Sequence, residues 1–213
     1  MAVRRFALID EMEARRIEPG STVELDKGGH VTPLARDTLR ARRVTVVPAG
    51  SVDAAIPADL APVSPALRIA IGSDHTGLAL KAMLVDHLRK QGKSVDDLGT
   101  HSTDTVDYPD IAATVAKSVV RGESDAGIVI DGAGLGSAMA ANKVRGARAA
   151  MCQTQTLARY AREHNGANVL ALGATLVAAA EARAIVDVWL GTPTREPRYL
   201  RRLLKIRRLE DVF

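Results

Sequence analysis

The stretch from Gly127 to Lys143 constrains the fold more than any other part of the chain. It reads Gly-Ile-Val-Ile-Asp-Gly-Ala-Gly-Leu-Gly-Ser-Ala-Met-Ala-Ala-Asn-Lys. Three apolar residues, Ile128, Val129 and Ile130, mark a short buried strand, and Asp131 with glycines at 132, 134 and 136 then hands over to a helix of small residues. A polar side chain is thereby set at the carboxyl end of a strand. Glycines permit positive φ and close backbone approach, so N–H groups of the loop can converge on an anion or a developing oxyanion.

Around this stretch, apolar strands alternate with helical patterns from Leu67 onward. Strands are expected at 67–71, 95–98, 126–130, 147–152 and 168–172. Helices are expected from about Leu80 to Gly92, from Asp110 to Val120, after the glycine loop, from Thr154 to Glu163 and from Thr175 to Leu190, the last buried along Ala180, Ala184 and Val188. Right-handed crossovers between such units give an α/β fold, a doubly wound, Rossmann-like, five-stranded parallel sheet with helices on both faces. Sites in such folds lie beyond the carboxyl ends of the strands, where this chain carries Ser73, Asp74, His75 and Asp131. Residues 1–47 read as a small N-terminal α+β appendage, with a helix over Arg4–Arg16, a strand from Thr22 to Asp26, a helix capped by Thr32-Pro33 through Ala41 and a strand at Val44–Val47. The Pro- and Ala-rich segment 48–66 reads as a linker to the main domain, 67–213.

Aromatic residues make up only 3% of the 213 residues, so the core must be built from Ala, Val, Leu and Ile, as suits helices packed closely on a parallel sheet. The formal net charge of +4 is modest and does not by itself imply nucleic acid; there is no aromatic interleaving and no recognisable binding module. Cys152 is the only cysteine, which excludes an intrachain disulfide and a cysteine-based metal site. No apolar run approaches a membrane span and the N-terminus lacks a secretory apolar region, so a cytoplasmic protein is expected, without membrane contact.

Taken alone, several residues have both a chemical and a plain reading. Asp74-His75 before Thr76-Gly77 either caps a helix or contacts a phosphate or ring oxygen. His164-Asn165 before Gly166 is an ordinary helix end on spacing. Arg198 and Arg202 are four residues apart on a basic helix, so they share one face and can clamp one phosphate. A dinucleotide reading of the loop fails, because Gly132, Gly134 and Gly136 give G-x-G-x-G, and the next strand ends near Cys152-Gln153 without an acidic residue for a ribose diol.

An ordered series of motifs adds a resemblance. Gly72-Ser-Asp-His-Thr-Gly77, Asp107-Tyr-Pro-Asp110, the glycine loop running into Ala140-Ala-Asn-Lys143, Gly146-Ala-Arg148, His164-Asn165 with Asn168-Val-Leu-Ala171, and Ile185-Val-Asp-Val-Trp-Leu190 resemble the ribose-5-phosphate isomerase B family over residues 67–210. That family includes galactose-6-phosphate isomerase subunits. The resemblance implies aldose–ketose isomerisation of a sugar phosphate through an enediolate, with neither metal nor cofactor, in a homodimer or tetramer whose sites lie at the subunit interface. It places His75, Arg198 and Arg202 on phosphate, Asp74 and Tyr108 on sugar hydroxyls, His164 at ring opening, Asn165 and Ser137 among the substrate-binding residues, and Gly132, Gly134 and Gly136 on the oxyanion.

The departures from the family pattern matter as much. Asp131 stands where many members carry a cysteine base, Ser137 where others use a glutamate, Ala133 where Ser or Thr is common, and Tyr199 where a His often follows the first arginine. Two readings stay open: Asp131 is the substituted base, or it caps loop N–H groups and the protein is a non-catalytic sugar-phosphate-binding or scaffold protein. In the N-terminal unit, His30–Arg36 faintly resembles a segment of some bacterial microcompartment enzymes, which suggests microcompartment association.

Overall fold

The computed structural model describes residues 4–49 and 60–210. It divides into two compact units, Met1–Ile56 and Pro57–Phe213.

In the first unit β1 (Arg5–Ile9), α1 (Glu11–Arg16), β2 (Thr22–Val31), α2 (Pro33–Ala41) and β3 (Thr45–Pro48) alternate, and the sheet has the order β1-β2-β3 with both pairings parallel. The appendage is therefore an alternating β-α-β-α-β unit. The helix expected over Arg4–Arg16 is a strand followed by a helix, because Asp10 accepts from the Glu13 N–H (2.8 Å) and so starts α1 only there. Thr32 caps α2 with Pro33 in its first turn, as the sequence indicates. Ile9, Ala14, Ile17, Val23, Val31, Ala35 and Leu39 form this unit's own small core.

The second unit carries β4 (Arg68–Ser73), a short 3-10 turn (His75–Gly77), α3 (Leu78–Lys90), β5 (Ser94–Asp97), α4 (Tyr108–Val120), β6 (Ala126–Asp131), α5 (Leu135–Ala141), β7 (Ala149–Met151), α6 (Gln155–Glu163), β8 (Val169–Gly173), α7 (Ala179–Gly191) and α8 (Pro197–Leu209). All pairings are parallel, in the order β5-β4-β6-β8-β7. The expected five-stranded doubly wound sheet is present, and the strand order reverses between β4 and β6.

Side chains alternate across this sheet. Ile69, Ile71, Ile128, Ile130, Leu170 and Leu172 pack under α3, α6 and α7, while Ala70, Val129, Val169 and Ala171 face α4 and α5. The second face is made of smaller residues, which lets its helices lie close and accounts for a core almost without aromatic rings. Each fully buried Leu or Ile contributes about 1.5–3 kcal/mol. On α7 the buried stripe is Ala182, Ile185, Val186 and Trp189, whereas Ala180 is exposed. Burying the larger side chains removes more apolar area from water, and that sets the helix rotation. This helix also begins later than Thr175, because the chain first turns on the Gly173 carbonyl, which accepts from the Leu176 and Val177 N–H groups, while Ala174 and Thr175 bond to the glycine loop.

The unit boundary falls before residue 60, not near 66. Residues 50–59 of the expected linker lie outside the described residues. Leu60 to Ala66 form a strap on the second unit: Arg148 donates to the Leu60 carbonyl (3.0 Å) and Arg162 to that of Val63 (2.7 Å), and Leu60 and Ala66 are buried. Arg162 is itself fully buried, its guanidinium 4.6 Å from the centre of the Trp189 ring.

Candidate active site

At the carboxyl end of β4, Asp74 is buried and acts as a cap. Its Oδ1 accepts from the Thr76 N–H (2.9 Å), the Thr76 hydroxyl (2.6 Å) and the Gly77 N–H (3.2 Å). Its own N–H donates to the Ile130 carbonyl (3.1 Å), so the turn is fastened to the end of β6. The Val106 N–H donates to His75 Nδ1 (3.4 Å). A neutral His75 therefore carries its proton on Nε2 and offers an N–H donor there.

Beside it, β6 ends in Asp131, 5% exposed. Oδ1 accepts from the N–H groups of Ala133 (2.8 Å) and Gly134, and Oδ2 from the N–H of Ser137 (2.9 Å). Burial pushes the Asp131 carboxyl pKa up, but hydrogen bonds from the Ser137 hydroxyl and N–H and from the Gly134 and Ala133 N–H groups outweigh it, and the net shift is downward. The side chain is an anion across the neutral range, wrapped by its own loop. Gly134 makes this wrap geometrically accessible: its φ is +76°, which an L side chain rarely adopts. The β8–α7 turn holds the loop from behind, with the Ala174 N–H on the Asp131 carbonyl (2.8 Å) and the Thr175 hydroxyl and N–H on the Gly132 carbonyl (2.6 and 3.0 Å).

Tyr108 opens α4 and lays its ring on Gly136. A Cβ at position 136 would lie 2.5 Å from Tyr108 Cζ, so glycine there is what admits the ring. Thr76 faces the loop from the other side, its hydroxyl 3.7 Å from where a Cβ on Gly132 would stand. Asp74, His75, Tyr108, Asp131, Gly132, Gly134, Gly136 and Ser137 are thus brought together at neighbouring strand ends.

The remaining candidates are elsewhere. His164 and Asn165 follow α6 and precede β8, at the amino end of the sheet, with about 13 Å of β8 separating that level from the Gly173–Asp131 pairing. His164 stacks on Tyr160 (centroids 4.7 Å apart, 16° between planes) and against Tyr199 (4.4 Å, 37°). Arg198 donates to the Tyr199 hydroxyl (2.9 Å), and the guanidiniums of Arg198 and Arg202 lie 4.7 and 5.9 Å from its ring centre. Both arginines are exposed. Helix α8 is seated by Leu203, whose Cδ1 lies 2.5 Å from where a Cβ on Gly166 would stand. Along the edge strand β7 runs an apolar groove of about 640 Å³, lined by Met151, Leu157, Tyr160, Asn165, Ile206 and Leu209 among others. Cys152, also in its wall, has its thiol pushed up to about 11 by burial and stays protonated at neutral pH.

Residues 69–206 match the model of the family described as Ribose/Galactose Isomerase. The chain belongs to that family. It is 43% identical over 144 residues to ribose-5-phosphate isomerase B of Escherichia coli K12, covering 68% of this chain and 97% of that protein. Among solved structures, ribose-5-phosphate isomerase B of Clostridium thermocellum superimposes with a TM-score of 0.66 at 50% identity, over 67% of this chain and 97% of that one. The Mycoplasma genitalium enzyme, solved with bound ribulose-5-phosphate, gives 0.65 at 43% identity, over 67% and 95%. As a ribose/galactose isomerase family member, the chain presents its matched residues as two groups at opposite ends of one sheet.

In the sequence Thr76 reads only as the opening of a helix and Tyr199 only as a departure from the family pattern, whereas the structure sets Thr76 on Asp74 and Tyr199 on His164. Lys81 is not singled out, although a lysine on the apolar stripe of α3, between Leu80 and Leu84, is buried and needs a partner. Among the described residues, no helix is long and apolar enough to cross a membrane.

Proposed function

We propose that this chain interconverts the aldose and ketose forms of a short sugar phosphate, ribose 5-phosphate and ribulose 5-phosphate or a related pentose or tetrose phosphate. The observation that carries the reading is the convergence of an ionised carboxylate, a glycine loop, Asp74, His75 and Tyr108 at the adjoining carboxyl ends of β4 and β6. Asp131 is the base that moves a proton between C1 and C2. Its lone pairs are taken by loop donors, and of these only the Ser137 hydroxyl rotates freely, so its departure from the carboxylate frees a lone pair for the substrate C–H. The N–H groups of Ala133, Gly134 and Ser137 stay with Asp131, which leaves those of Leu135 and of Gly136, the latter under the Tyr108 ring, as donors to the enediolate oxygen. Asp74 and Tyr108 hold sugar hydroxyls, and the His75 Nε2–H contacts the phosphate.

His164, Asn165, Arg198 and Arg202 join this site from a second copy. The separation of the two groups within one chain supports a homodimer in which each site combines the carboxyl-end group of one subunit with the amino-end group of the other. The apolar groove along β7 is the surface proposed to bring the copies together. Cytoplasmic placement and a microcompartment-targeting role for the N-terminal unit belong to the same proposal; unchanged assembly and localisation after removal of residues 1–56 would end the latter.

A second reading is favoured by the state of Asp131. A carboxylate with its oxygens engaged and its pKa below the ordinary value is a weak base, which suits a protein that binds sugar phosphates without turning them over. Purified protein and its Asp131→Asn variant, assayed on four-, five- and six-carbon sugar phosphates, separate the readings. Isomerisation that falls by about 10²–10⁴-fold in the variant is the expected result. Unchanged turnover in the variant removes Asp131 as the base. Saturable binding that needs Arg198 and Arg202, with no turnover by the parent protein, establishes the second reading.

A further inference from the structure

We propose that Lys81 is a positioning residue for this site, acting through the 98–107 segment on the tautomer of His75. The inference rests on the sugar-phosphate-binding role assigned above to His75, and not on turnover.

Lys81 is 1% exposed on the buried stripe of α3. A buried ammonium is tolerated only where its protons are accepted, and removing one partner of such a pair is more costly than the pair is worth. Its Nζ donates to Asp97 Oδ1 at the end of β5 and to the Thr100 carbonyl (2.8 Å). Asp97 Oδ1 also accepts from the Gly99 N–H (3.3 Å). The backbone of this turn is fastened to the last residues of β4, with the Leu98 N–H on the Ile71 carbonyl (2.8 Å) and the Thr100 N–H on that of Ser73 (3.1 Å). The Ser73 hydroxyl is buried and makes no hydrogen bond among the described residues, so it gives the turn no side-chain hold. Lys81 and Asp97 supply that hold.

Past Thr100, the Thr100 hydroxyl accepts from the Ser102 N–H (3.4 Å), and six residues beyond Thr100 the Val106 N–H reaches His75 Nδ1. Tyr108 lies two residues further on, at the start of α4. One buried ammonium therefore anchors the near end of a segment whose far end sets the proton of His75 on Nε2 and delivers Tyr108 to Gly136. With the anchor gone, the Val106 N–H loses its registration on Nδ1, the ring is free to carry its proton on either nitrogen, and the donor facing a phosphate is lost for part of the time.

The test uses full-length Lys81→Met and the double variant Lys81→Met/Asp97→Leu. The second keeps the region stable if the single change does not fold, since replacing a buried ion pair by apolar residues is often neutral. Ring ¹⁵N shifts of His75, assigned against His75→Gln and read where the ring is neutral, report the tautomer. Titration with inorganic phosphate reports binding, and thermal unfolding reports stability. The parent is expected to hold the Nε2–H form, and a folded variant to show a mixture together with a phosphate affinity about tenfold weaker, the size of one lost hydrogen bond. If the isomerase reading holds, KM rises while kcat changes far less. An unchanged tautomer or an unchanged phosphate affinity in a variant that unfolds cooperatively overturns the proposal. Absence of turnover by the parent protein counts against the isomerase reading alone, because neither the shifts nor the phosphate titration depends on it.

Discussion

The two ends of the parallel sheet are built on different principles. At the carboxyl end, Asp74 and Asp131 are buried and their carboxylates are wrapped in backbone N–H groups from two to six residues further along the chain. Position there is fixed by the strands themselves. At the amino end, Arg198 and Arg202 are exposed, and what orders them is a stack of Tyr160, His164 and Tyr199 together with the seat of Leu203 on Gly166. Position there is fixed by packing between helices. The first end suits groups that must hold a reacting atom to a fraction of an ångström; the second suits groups that must close on a ligand from outside.

The most drastic way to break this comparison is to separate the ends genetically. Asp131→Asn and Arg202→Ala damage opposite ends, and each variant alone is expected to be nearly inactive. Refolded together, they are expected to recover about a quarter of the parent turnover, because half of randomly paired dimers hold one undamaged site of two. No recovery would mean that each subunit uses only its own residues.

A second test strains the carboxyl end without touching a charge. In Gly136→Ala the new methyl meets the Tyr108 ring, and turnover should fall by about a hundredfold with little loss of phosphate binding, as a displacement of about 1 Å at a reacting centre can cost that much. At the amino end, Leu203→Ala should lower unfolding free energy by about 2–5 kcal/mol and weaken substrate affinity through α8, leaving any turnover at saturation nearly intact. Denaturant unfolding and KM measure the two effects. If kcat collapses instead, the ends are not mechanically separate.

The smallest expected effect concerns acid. The pKa of Asp131 is lower in the folded protein than its ordinary value of about 3.9, so its contribution to stability is complete above that value and is lost as pH falls through the folded pKa. Thermal midpoints measured from pH 6 down to pH 3 should therefore fall less steeply in Asp131→Asn than in the parent protein. Equal slopes would show that the loop hydrogen bonds do not favour the ionised form.

Much of the carboxyl end was legible in the sequence. Asp74 and Asp131 each follow an apolar run and precede small or turn-forming residues, and such local signals report strand ends well. In the five-stranded sheet the expected strand limits lie within two residues of those observed, and Thr32 is readable as a cap, whereas the strand expected to end at Asp26 runs on to Val31. What the sequence did not report was rotation and depth. The stripe of α7 was displaced because alanines at 180 and 184 look apolar without competing with Ile185 and Trp189 for burial. The ionised, fully solvated-by-protein state of Asp131 depends on three N–H groups turning toward it, which only Gly134's positive φ and the Thr175 clamp arrange. The amino-end group was visible as residue types, but its remoteness follows from chain direction: α6 runs back down the sheet, so whatever follows it lies at the wrong end for Asp131. In the N-terminal unit, Phe6 to Ile9 reads as part of a helix because Arg4 and Arg5 precede it and Asp10 and Glu11 follow it, and parallel pairing to β2 overrides that pattern.

The strap from Leu60 to Ala66 bears on how the molecule can be cut. The stretch shared with the family begins at residue 69, which invites a fragment starting there. Such a fragment would strip the carbonyls of Leu60 and Val63 from two guanidiniums, one of them fully buried beneath Trp189, at a cost of about 1–3 kcal/mol for each acceptor lost. The border of ancestry and the border of independent folding are separate places in this chain, and the second lies upstream of the first.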